Sequence, residues 1–258
     1  MSSILVDAKD GIAFITLNRP EKFNAFNRAM ALLLQEVLDD CDNNNTIRCV
    51  YITGAGKAFC AGQDLAEVIE DNGVEMSMIL QEHYNPIVTK IKKLQKPVVA
   101  AVNGVAAGAG ANIALCCDIV VANENASFIQ AFSKIGLIPD SGGTYTLPRL
   151  IGWQKASALM MLGDKVSAID AEKMGMIYKY FSADSFEVES KKIAYTLASM
   201  PTKALAYTKQ ALQTSLNSNF EEQLKTEDVL QQKAAATKDF KEGVDAFLEK
   251  RLPKFIGE

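Results

Sequence analysis

The sequence predicts an α/β fold with a helical C-terminal part, and three observations support this prediction. Before residue 145, short apolar runs that read as strands alternate with helical patterns. From residue 145 to residue 258 the pattern is almost entirely helical, and no repeat or linker divides the chain. With 258 residues, of which 48% are hydrophobic and 22% charged, the chain is long enough to bury a sizeable core.

The first elements are a hairpin, a helix and a buried strand. In ILVDAKDGIAFITLN two apolar runs flank Asp10-Gly11, a dipeptide typical of two-residue hairpin turns. Apolar residues at helical spacing predict a helix from Arg28 to Asp39, and Asn27 is its candidate N-cap. CVYIT then predicts a short buried strand.

The middle of the chain continues this alternation. Residues 74–94 predict a helix interrupted by Pro86, and PVVAAVNG predicts a buried strand that begins at Pro97, where a missing N–H costs little. AAGAGANIALCCD predicts a helix opened by small residues, while DIVVAN and ASFIQAF predict further strands. The helical region begins after GLIPDSGGT, and Pro201 starts one of its helices.

Charge, hydropathy and cysteine usage exclude several broad functional classes. The formal net charge of −4 argues against a general nucleic-acid binder, and no apolar run approaches the ~20 residues of a membrane-spanning helix. The N-terminus lacks the layout of a signal peptide, and the five cysteines form no CxxC pair. We therefore expect a cytoplasmic protein with reduced thiols. No metal site is expected, because the single histidine, His83, has no cysteine near it in sequence.

Three glycine-rich turns, at 54–62, 104–110 and 142–143, are candidates for contact with a ligand. GVAAGAG contains Gly108-x-Gly110, but it does not lie in the first βαβ unit of the chain, and the next strand ends in VVAN without the acidic residue that a dinucleotide site requires. A GxxxxGK[ST] phosphate loop is also missing. A helix that opens with Gly-Ala-Gly presents free N–H groups and the positive end of its dipole. A second free N–H from the CAGQD turn would let two donors hold one oxygen, as in an oxyanion hole for a carbonyl that becomes an enolate.

A second interpretation of the CAGQD turn is a reactive cysteine. Cys60 would need a histidine to activate it, and only His83 could serve, if the chain folded it over the turn. We expect instead that Cys60 packs behind the turn and that His83 is a surface or lid residue. The amide-lined site is therefore the favoured interpretation.

Four segments together resemble the enoyl-CoA hydratase/isomerase (crotonase) superfamily: AFCAGQDL, PVVAAVNGVAAGAGANIALCCDIVVA, FSKIGLIPDSGGTYTLPRLIG and EGVDAFLEKRLPKF. They occur in the order of the family, and the similarity runs nearly end to end. The resemblance implies a crotonase-like spiral of ββα units over residues 1–195, which binds acyl-CoA. It implies a helical trimerisation region over residues 196–258, a homotrimer or dimer of trimers, and no separate cofactor, because CoA is part of the substrate.

The resemblance also implies a set of site residues. Backbone N–H groups of Ala61 and Ala109 would hold the thioester oxygen, and Asp140 would be the acid/base of the family's isomerases. The family's hydratases use two glutamates, and those positions are Asn112 and Phe132 here, so hydration is disfavoured. Further substrate-binding candidates are Gly62, Gln63, Asp64, Leu65, Gly108, Gly110, Asn112, Phe132 and Ile138.

Several of these residues have a structural alternative. Asp140 lies in Pro-Asp-Ser-Gly, an ordinary turn sequence. Asp64 could brace its turn through hydrogen bonds, and Asn112 could cap or pack. Phe132 and Ile138 are expected to form an apolar wall that raises the pKa of Asp140.

Candidate contacts to CoA lie near both ends of the chain. Lys22 and Phe23 in RPEKFNAF would lie along the pantetheine or nucleotide, as the resemblance implies. Near the C-terminus, Lys250, Arg251, Lys254 and Phe255 would hold the CoA phosphates and adenine. The alternative for EKRLPKF is an ordinary solvated helix end.

The activity that the resemblance implies is isomerisation of an acyl-CoA by an oxyanion hole and one aspartate. The substrate would be 2-(1,2-epoxy-1,2-dihydrophenyl)acetyl-CoA of phenylacetate catabolism, a Δ3-enoyl-CoA, or both. The alternatives are an enoyl-CoA hydratase of β-oxidation and a non-catalytic acyl-CoA-binding subunit. Residues 66–94 would line the acyl pocket, and EDNG at 70–73 predicts a loop.

Overall fold

A six-stranded sheet forms the larger of two layers in the computed structural model, which describes residues 2–69 and 75–258. The loop predicted at 70–73 lies outside the described residues. Strands β1 (Ile4–Lys9) and β2 (Ile12–Leu17) form the predicted antiparallel hairpin, and both turn residues, Asp10 and Gly11, have positive φ. Strands β3 (Cys49–Gly54), β5 (Val98–Val102), β7 (Ile119–Asn123) and β10 (Lys179–Phe181) extend the sheet in parallel, in the order β1-β2-β3-β5-β7-β10.

A second sheet of short strands carries the turns that matter for function. It contains β4 (Ala58–Cys60), β6 (Val105–Ala107), β8 (Ser127–Ile129) and β9 (Lys165–Ser167), of which the first three are parallel. Each of these three follows a strand of the larger sheet and leads into helix, so the chain repeats a ββα unit. The predicted crotonase-like spiral is confirmed.

The helices connect and cover the sheets. The α-helices are α1 (Arg28–Asn43), α2 (Ala66–Ile69), α3 (Met76–Met78), α4 (Asn85–Lys93), α5 (Ala109–Cys116), α6 (Gly143–Ile151), α7 (Trp153–Leu162), α8 (Ala168–Lys173), α9 (Phe186–Ser199), α10 (Thr202–Ser215), α11 (Phe220–Ala235) and α12 (Lys238–Glu249). Short 3₁₀ helices span Pro20–Lys22 and Ala131–Ile135, and a π-helical turn spans Ile79–Tyr84. Among the described residues, none of the helices has the length and apolar character needed to span a bilayer.

The central strands of the large sheet are buried on both faces, whereas the edge strand β1 is mostly exposed. Val50 and Ile52 of β3 pack in the main apolar cluster with α1, α4 and α5, while Cys49 and Tyr51 pack in a second cluster with α9. Side chains of a strand alternate between faces, so a strand covered on both sides reads as one continuous apolar run. This is why CVYIT and PVVAAVNG could be recognised as strands.

Three boundaries differ from the sequence prediction. The helix continues through Pro86, which is the second residue of α4. The preceding turn is π-helical, with hydrogen bonds between residues five apart, so the missing N–H of Pro86 does not end the helix. Strands β9 and β10 lie in the region predicted to be helical, and three residues are too few for a periodic signal. The division after residue 195 falls inside α9, which is continuous.

Candidate active site

The small parallel sheet brings the predicted glycine-rich turns to one edge. Strands β4, β6 and β8 are parallel neighbours, so the segments that follow their carboxyl ends lie side by side. These segments are the CAGQD turn after β4, the start of α5 after β6, and the stretch after β8 that leads to Asp140. The fold therefore gathers residues that are up to 79 positions apart, from Ala61 to Asp140.

The CAGQD turn touches the start of α5 at Gly62. A Cβ on Gly62 would lie 3.0 Å from the carbonyl oxygen of Ala107 and 3.4 Å from the amide nitrogen of Ala109, and the φ of Gly62 is +95°. Glycine is therefore required twice, for the close approach and for the left-handed backbone. The approach places the amides of the turn beside those of the helix start.

The free donor of this turn is Gln63, not Ala61. The Ala61 N–H donates to the carbonyl of Phe23 at 3.0 Å, because residues 23–26 run alongside the turn and pair with it. Among the described residues, the Gln63 and Ala109 N–H groups have no hydrogen-bond acceptor. The expected donor Ala61 is therefore wrong, and the free N–H lies two residues later, at Gln63. Ala109 stays the second candidate donor, because it is the first residue of α5 and lies at the positive end of the helix dipole.

Asp140 lies in the segment between the second 3₁₀ helix and α6. Its carboxylate accepts a hydrogen bond from Ser141 Oγ at 2.8 Å. Burial raises the pKa of Asp140, and the bond from Ser141 opposes that rise. Asp140 lies beside the start of α5, since its backbone carbonyl accepts a hydrogen bond at 2.9 Å from Asn112 of that helix. Burial also raises the pKa of Tyr84.

Asn112 is committed to the protein's own backbone. Its side-chain amide donates to the backbone carbonyl of Asp140 at 2.9 Å and accepts from Gln130 Nε2 at 2.8 Å. A Cβ on Gly143 would overlap this side chain, so Asn112 fills the space against the start of α6. The sequence offered Asn112 either as a substrate contact or as a capping or packing residue, and the structure shows a packing residue. Asn112 affects the site by holding the backbone of Asp140.

The predicted apolar wall is present only in part. Phe132 is buried, and its ring lies 3.7 Å from where a Cβ on Gly108 would be, so it packs beside the start of α5. Ile138 is 81% exposed, and the expectation that it shields Asp140 is wrong for the single chain. The 3₁₀ helix ends at Gly136 in the left-handed region, and the chain then runs outward before returning at Asp140.

Sequence reasoning missed two residues that hold the Gln63 side chain. The Tyr84 hydroxyl donates to Gln63 Oε1 at 2.9 Å, and Gln63 Nε2 donates to Glu67 Oε2 at 2.9 Å. In the sequence, a tyrosine at helical spacing indicates only a packed side chain. Tyr84 is indeed buried, but its hydrogen bond to Gln63 has no signal in the sequence. His83 is 0% exposed, so the expectation of a surface or lid residue is wrong.

Asp64 and Cys60 have structural roles. Asp64 Oδ2 pairs with Arg19 Nη2 at 2.9 Å and Oδ1 accepts from Ala66 N at 3.3 Å, which braces the turn as one interpretation expected. Burial raises the pKa of Asp64, but the hydrogen bonds from Arg19 and Ala66 and the charges of Arg19 and Lys22 together outweigh it, so the net shift is downward. Cys60 is buried, which raises its thiol pKa to about 12, so it packs behind the turn as an unreactive thiol.

The candidate CoA contacts divide into two groups. Lys22 and Phe23 lie beside the turn, since the Phe23 carbonyl accepts the Ala61 N–H, and Phe23 is exposed together with Leu65. The C-terminal group lies elsewhere. The Phe255 carbonyl accepts a hydrogen bond at 2.7 Å from Arg48, the residue just before β3, whereas the site follows the opposite end of β3. Six residues of strand separate the two ends by about 20 Å.

The basic side chains of the C-terminal group are already engaged in part. Arg251 pairs with Glu242 and Glu249 at 2.6 Å each, and the Lys254 N–H donates to Glu242. Lys250 ends α12 in the left-handed region. Within one chain, these residues are not brought to the candidate site.

Residues 7–258 match the enoyl-CoA hydratase/isomerase family. The chain is 44% identical over 261 residues to 1,2-epoxyphenylacetyl-CoA isomerase of Escherichia coli (strain K12), with 100% of each chain covered. It is 42% identical to a probable enoyl-CoA hydratase of Rhodobacter capsulatus, covering 99% of this chain and 98% of that one. The crystal structure of an enoyl-CoA hydratase from Bacillus anthracis superposes with a TM-score of 0.92 at 34% identity, with 100% of each chain covered.

Proposed function

Because the chain belongs to the enoyl-CoA hydratase/isomerase family, we propose that it is an acyl-CoA isomerase in which Asp140 is the single proton-transferring group. The observation that carries the proposal is the place of Asp140, a half-buried carboxylate whose backbone is hydrogen-bonded to Asn112 in α5, the helix that begins at the Ala109 donor. The positions where the family's hydratases are expected to have glutamates hold Asn112 and Phe132. Neither side chain can deprotonate water.

The proposed reaction needs two donors and one base. The N–H groups of Gln63 and Ala109 would hold the thioester oxygen, and each such donor lowers the barrier by ~3–4 kcal/mol. Asp140 takes a proton from the α-carbon, and the electrons of that C–H bond move onto the thioester oxygen to form a dienolate. The same carboxyl group returns the proton to the γ-carbon, so the double bond moves and no atom is gained or lost. A positioned base of this kind contributes ~10²–10⁴ in rate.

The raised pKa of Asp140 suits this role. A carboxylate whose charge is disfavoured by burial is a stronger base than one in water, and its conjugate acid still forms at the intermediate. The hydrogen bond from Ser141 stabilises the ionised form. Proton removal and proton return can therefore share one group.

The proposed substrate follows the relatives that the chain resembles. The name of the E. coli relative points to 2-(1,2-epoxy-1,2-dihydrophenyl)acetyl-CoA, and a Δ3-enoyl-CoA would use the same donors and base. Lys22 and Phe23 are proposed to lie along the CoA moiety, which is part of the substrate. A homotrimer or dimer of trimers in the cytoplasm belongs to the same proposal.

The experiment compares two substrates with purified protein. Isomerisation of a 3-enoyl-CoA creates a conjugated thioester and raises its absorbance, whereas hydration of crotonyl-CoA removes conjugation and lowers it. We expect the first reaction to be faster, and we expect conversion of the epoxide to a product of the same mass. Asp140→Asn should lose isomerisation by ~10²–10⁴-fold and still bind acyl-CoA, whereas Asp184→Asn, on an exposed turn before α9, should change neither.

The outcomes separate the alternatives. Hydration that outpaces double-bond migration would make the protein an enoyl-CoA hydratase. Tight acyl-CoA binding without either reaction would make it a non-catalytic acyl-CoA-binding subunit. Asp140→Asn with most of its turnover would remove Asp140 from the mechanism.

A further inference from the structure

The Gln63 residue has two separate tasks in this structure. Its backbone N–H is the donor of the CAGQD turn that no acceptor among the described residues occupies. Its side-chain amide is held at both ends, by the Tyr84 hydroxyl at Oε1 and by Glu67 at Nε2, each at 2.9 Å. Glu67 is itself fixed, since its other oxygen accepts the Arg28 N–H at 2.8 Å.

The turn needs such a restraint because glycine precedes the donor. Gly62 has a φ of +95° and no side chain that could be packed to hold it. An oxyanion donor has to be held within roughly 0.5 Å and 10–20° of its productive position. On the other side of Gln63, the Asp64–Arg19 ion pair restrains the turn. The peptide group that carries the donor is held by the Phe26 N–H, which bonds the Gly62 carbonyl at 2.7 Å, and the side chain of Gln63 adds a second restraint on the same residue.

Tyr84 reaches this turn from a π-helical segment. The segment Ile79–Tyr84 adds a residue to the helical turn, a feature frequent at functional sites. The buried ring of Tyr84 packs edge-on against Phe26 at 6.1 Å between ring centroids. Phe26 in turn accepts the Asp64 N–H and donates to the Gly62 carbonyl, so Tyr84 supports the turn through Phe26 as well as through Gln63.

We propose that Tyr84 is a positioning residue, which holds the Gln63 backbone N–H beside that of Ala109 by donating a hydrogen bond to Gln63 Oε1. The inference rests on the proposed function, in which these two amides hold the thioester oxygen. Tyr84 does not touch the reacting atoms. It acts through Gln63.

The first measurement compares two tyrosines. Tyr84→Phe removes the hydroxyl and retains the ring, and Tyr51→Phe is the matched control, because the buried Tyr51 hydroxyl bonds Ser190 Oγ at 2.9 Å in the second apolar cluster. We expect Tyr84→Phe to lower kcat about tenfold, less than the ~10²–10³ for loss of a whole donor. KM for the acyl-CoA should change by less than about twofold, since uniform binding is retained, and Tyr51→Phe should keep wild-type kcat.

The second measurement asks whether Tyr84 acts through the Gln63 side chain. Gln63→Leu removes both side-chain hydrogen bonds and keeps the backbone N–H. If the inference holds, Tyr84→Phe lowers kcat in the wild-type background and has no further effect in the Gln63→Leu background. Equal effects of Tyr84→Phe in both backgrounds would overturn it.

The third measurement reads the oxyanion site without turnover. In the Asp140→Asn background a bound 3-enoyl-CoA stays unreacted, and the infrared band of its thioester carbonyl should move to lower wavenumber on binding. Tyr84→Phe should reduce that shift, and so should Gln63→Leu, which supplies the readout if Tyr84→Phe does not fold. If both variants show the full shift of the wild-type side chains, the positioning role of Tyr84 is overturned and the proposed function is not. No shift even with Tyr84 and Gln63 present overturns the amide pair of the proposed function, and this inference with it.

Discussion

The side chain of Asn112 donates a 2.9 Å hydrogen bond to the backbone carbonyl of Asp140 and so fixes the segment that carries the candidate base. Gln130 donates to the oxygen of the same amide at 2.8 Å, which sets the orientation of Asn112. An ionised glutamate at this position could accept hydrogen bonds but not donate one to a carbonyl. Asn112 occupies a position where the family's hydratases are expected to have a catalytic glutamate. In this chain it instead fixes the backbone of Asp140, the candidate base for isomerisation.

Asn112→Asp tests this support. Aspartate has the same shape as asparagine, but its ionised form has no donor for the Asp140 carbonyl and places a negative charge against it. We expect kcat for isomerisation to fall about tenfold and the free energy of unfolding to fall by ~1–3 kcal/mol, since the buried partner loses its donor. Kinetic assays and urea unfolding would measure the two effects.

The control is Asn125→Asp, the same change on an exposed turn after β7. It should leave both quantities at the wild-type value. If Asn112→Asp lowers stability and leaves kcat unchanged, Asn112 only packs and the link to Asp140 has no catalytic consequence.

The acid side of the pH profile should follow Asp140. The base acts only when ionised, so kcat/KM falls as the pH drops through its pKa, which burial holds above the ordinary value. Ser141 Oγ donates to the ionised form and lowers that pKa. Ser141→Ala should therefore raise the pKa further and move the acid limb to higher pH, as measured by kcat/KM against pH.

Ser133→Ala is the control, because Ser133 is exposed on the 3₁₀ helix before this segment. Its acid limb should coincide with that of the wild type. An unmoved limb in Ser141→Ala would mean that the limb reports another group than Asp140.

Alanine variants of Gly62 and Gly136 distinguish the effect of backbone strain from the effect of the close approach between the CAGQD turn and the start of α5. Both have a positive φ, +95° and +75°, so alanine at either position costs ~1–2 kcal/mol of stability. A Cβ at Gly62 would lie 3.0 Å from the Ala107 carbonyl, whereas nothing lies within 4 Å of one at Gly136. We expect Gly62→Ala to lose activity by ~10²–10³-fold because the amide pair separates, and Gly136→Ala to lose only stability. Equal kcat values in the two variants would show that the approach of turn and helix does not matter for the reaction.

Local patterns sufficed for the individual elements and for the glycine-rich turns. The hairpin at Asp10-Gly11, the N-cap Asn27 and the buried strands all depend on a few consecutive residues, and the structure has each of them. The ββα spiral was predicted from the resemblance of four segments to the enoyl-CoA hydratase/isomerase superfamily. Strands β9 and β10, of three residues each, carry no periodic signal and were missed.

The details of the site depend on contacts across the chain. Which amide of CAGQD is free is decided by Phe23 and Phe26, nearly 40 residues earlier, because they occupy the neighbouring N–H groups. Tyr84 reaches Gln63 only through a π-helical turn. Ile138 resembles a wall residue in sequence, and its exposure follows from the path of the chain after Gly136. Sequence spacing contains none of these relationships.

The burial of His83 leads to a prediction about acid stability. Both ring nitrogens are buried without a hydrogen-bond partner among the described residues, and burial lowers the pKa of the imidazole. The folded state keeps His83 neutral, while the unfolded chain binds a proton below about pH 6.5. Stability should therefore be unaffected by His83 above that pH and should decrease as the pH falls below it, because the unfolded state then holds more protons.

His83→Phe should remove this dependence. It should also raise the free energy of unfolding by about 1 kcal/mol near pH 7, since an apolar ring has no unpaired polar group to bury. Urea unfolding of both proteins between pH 5 and pH 8, read as the difference between them, cancels the contribution of the carboxyl groups. His83 is the chain's single histidine, so no other imidazole adds to that difference. Parallel curves for the two proteins would mean that His83 titrates equally in the folded and unfolded states, and the account of an unpartnered neutral imidazole would then be wrong.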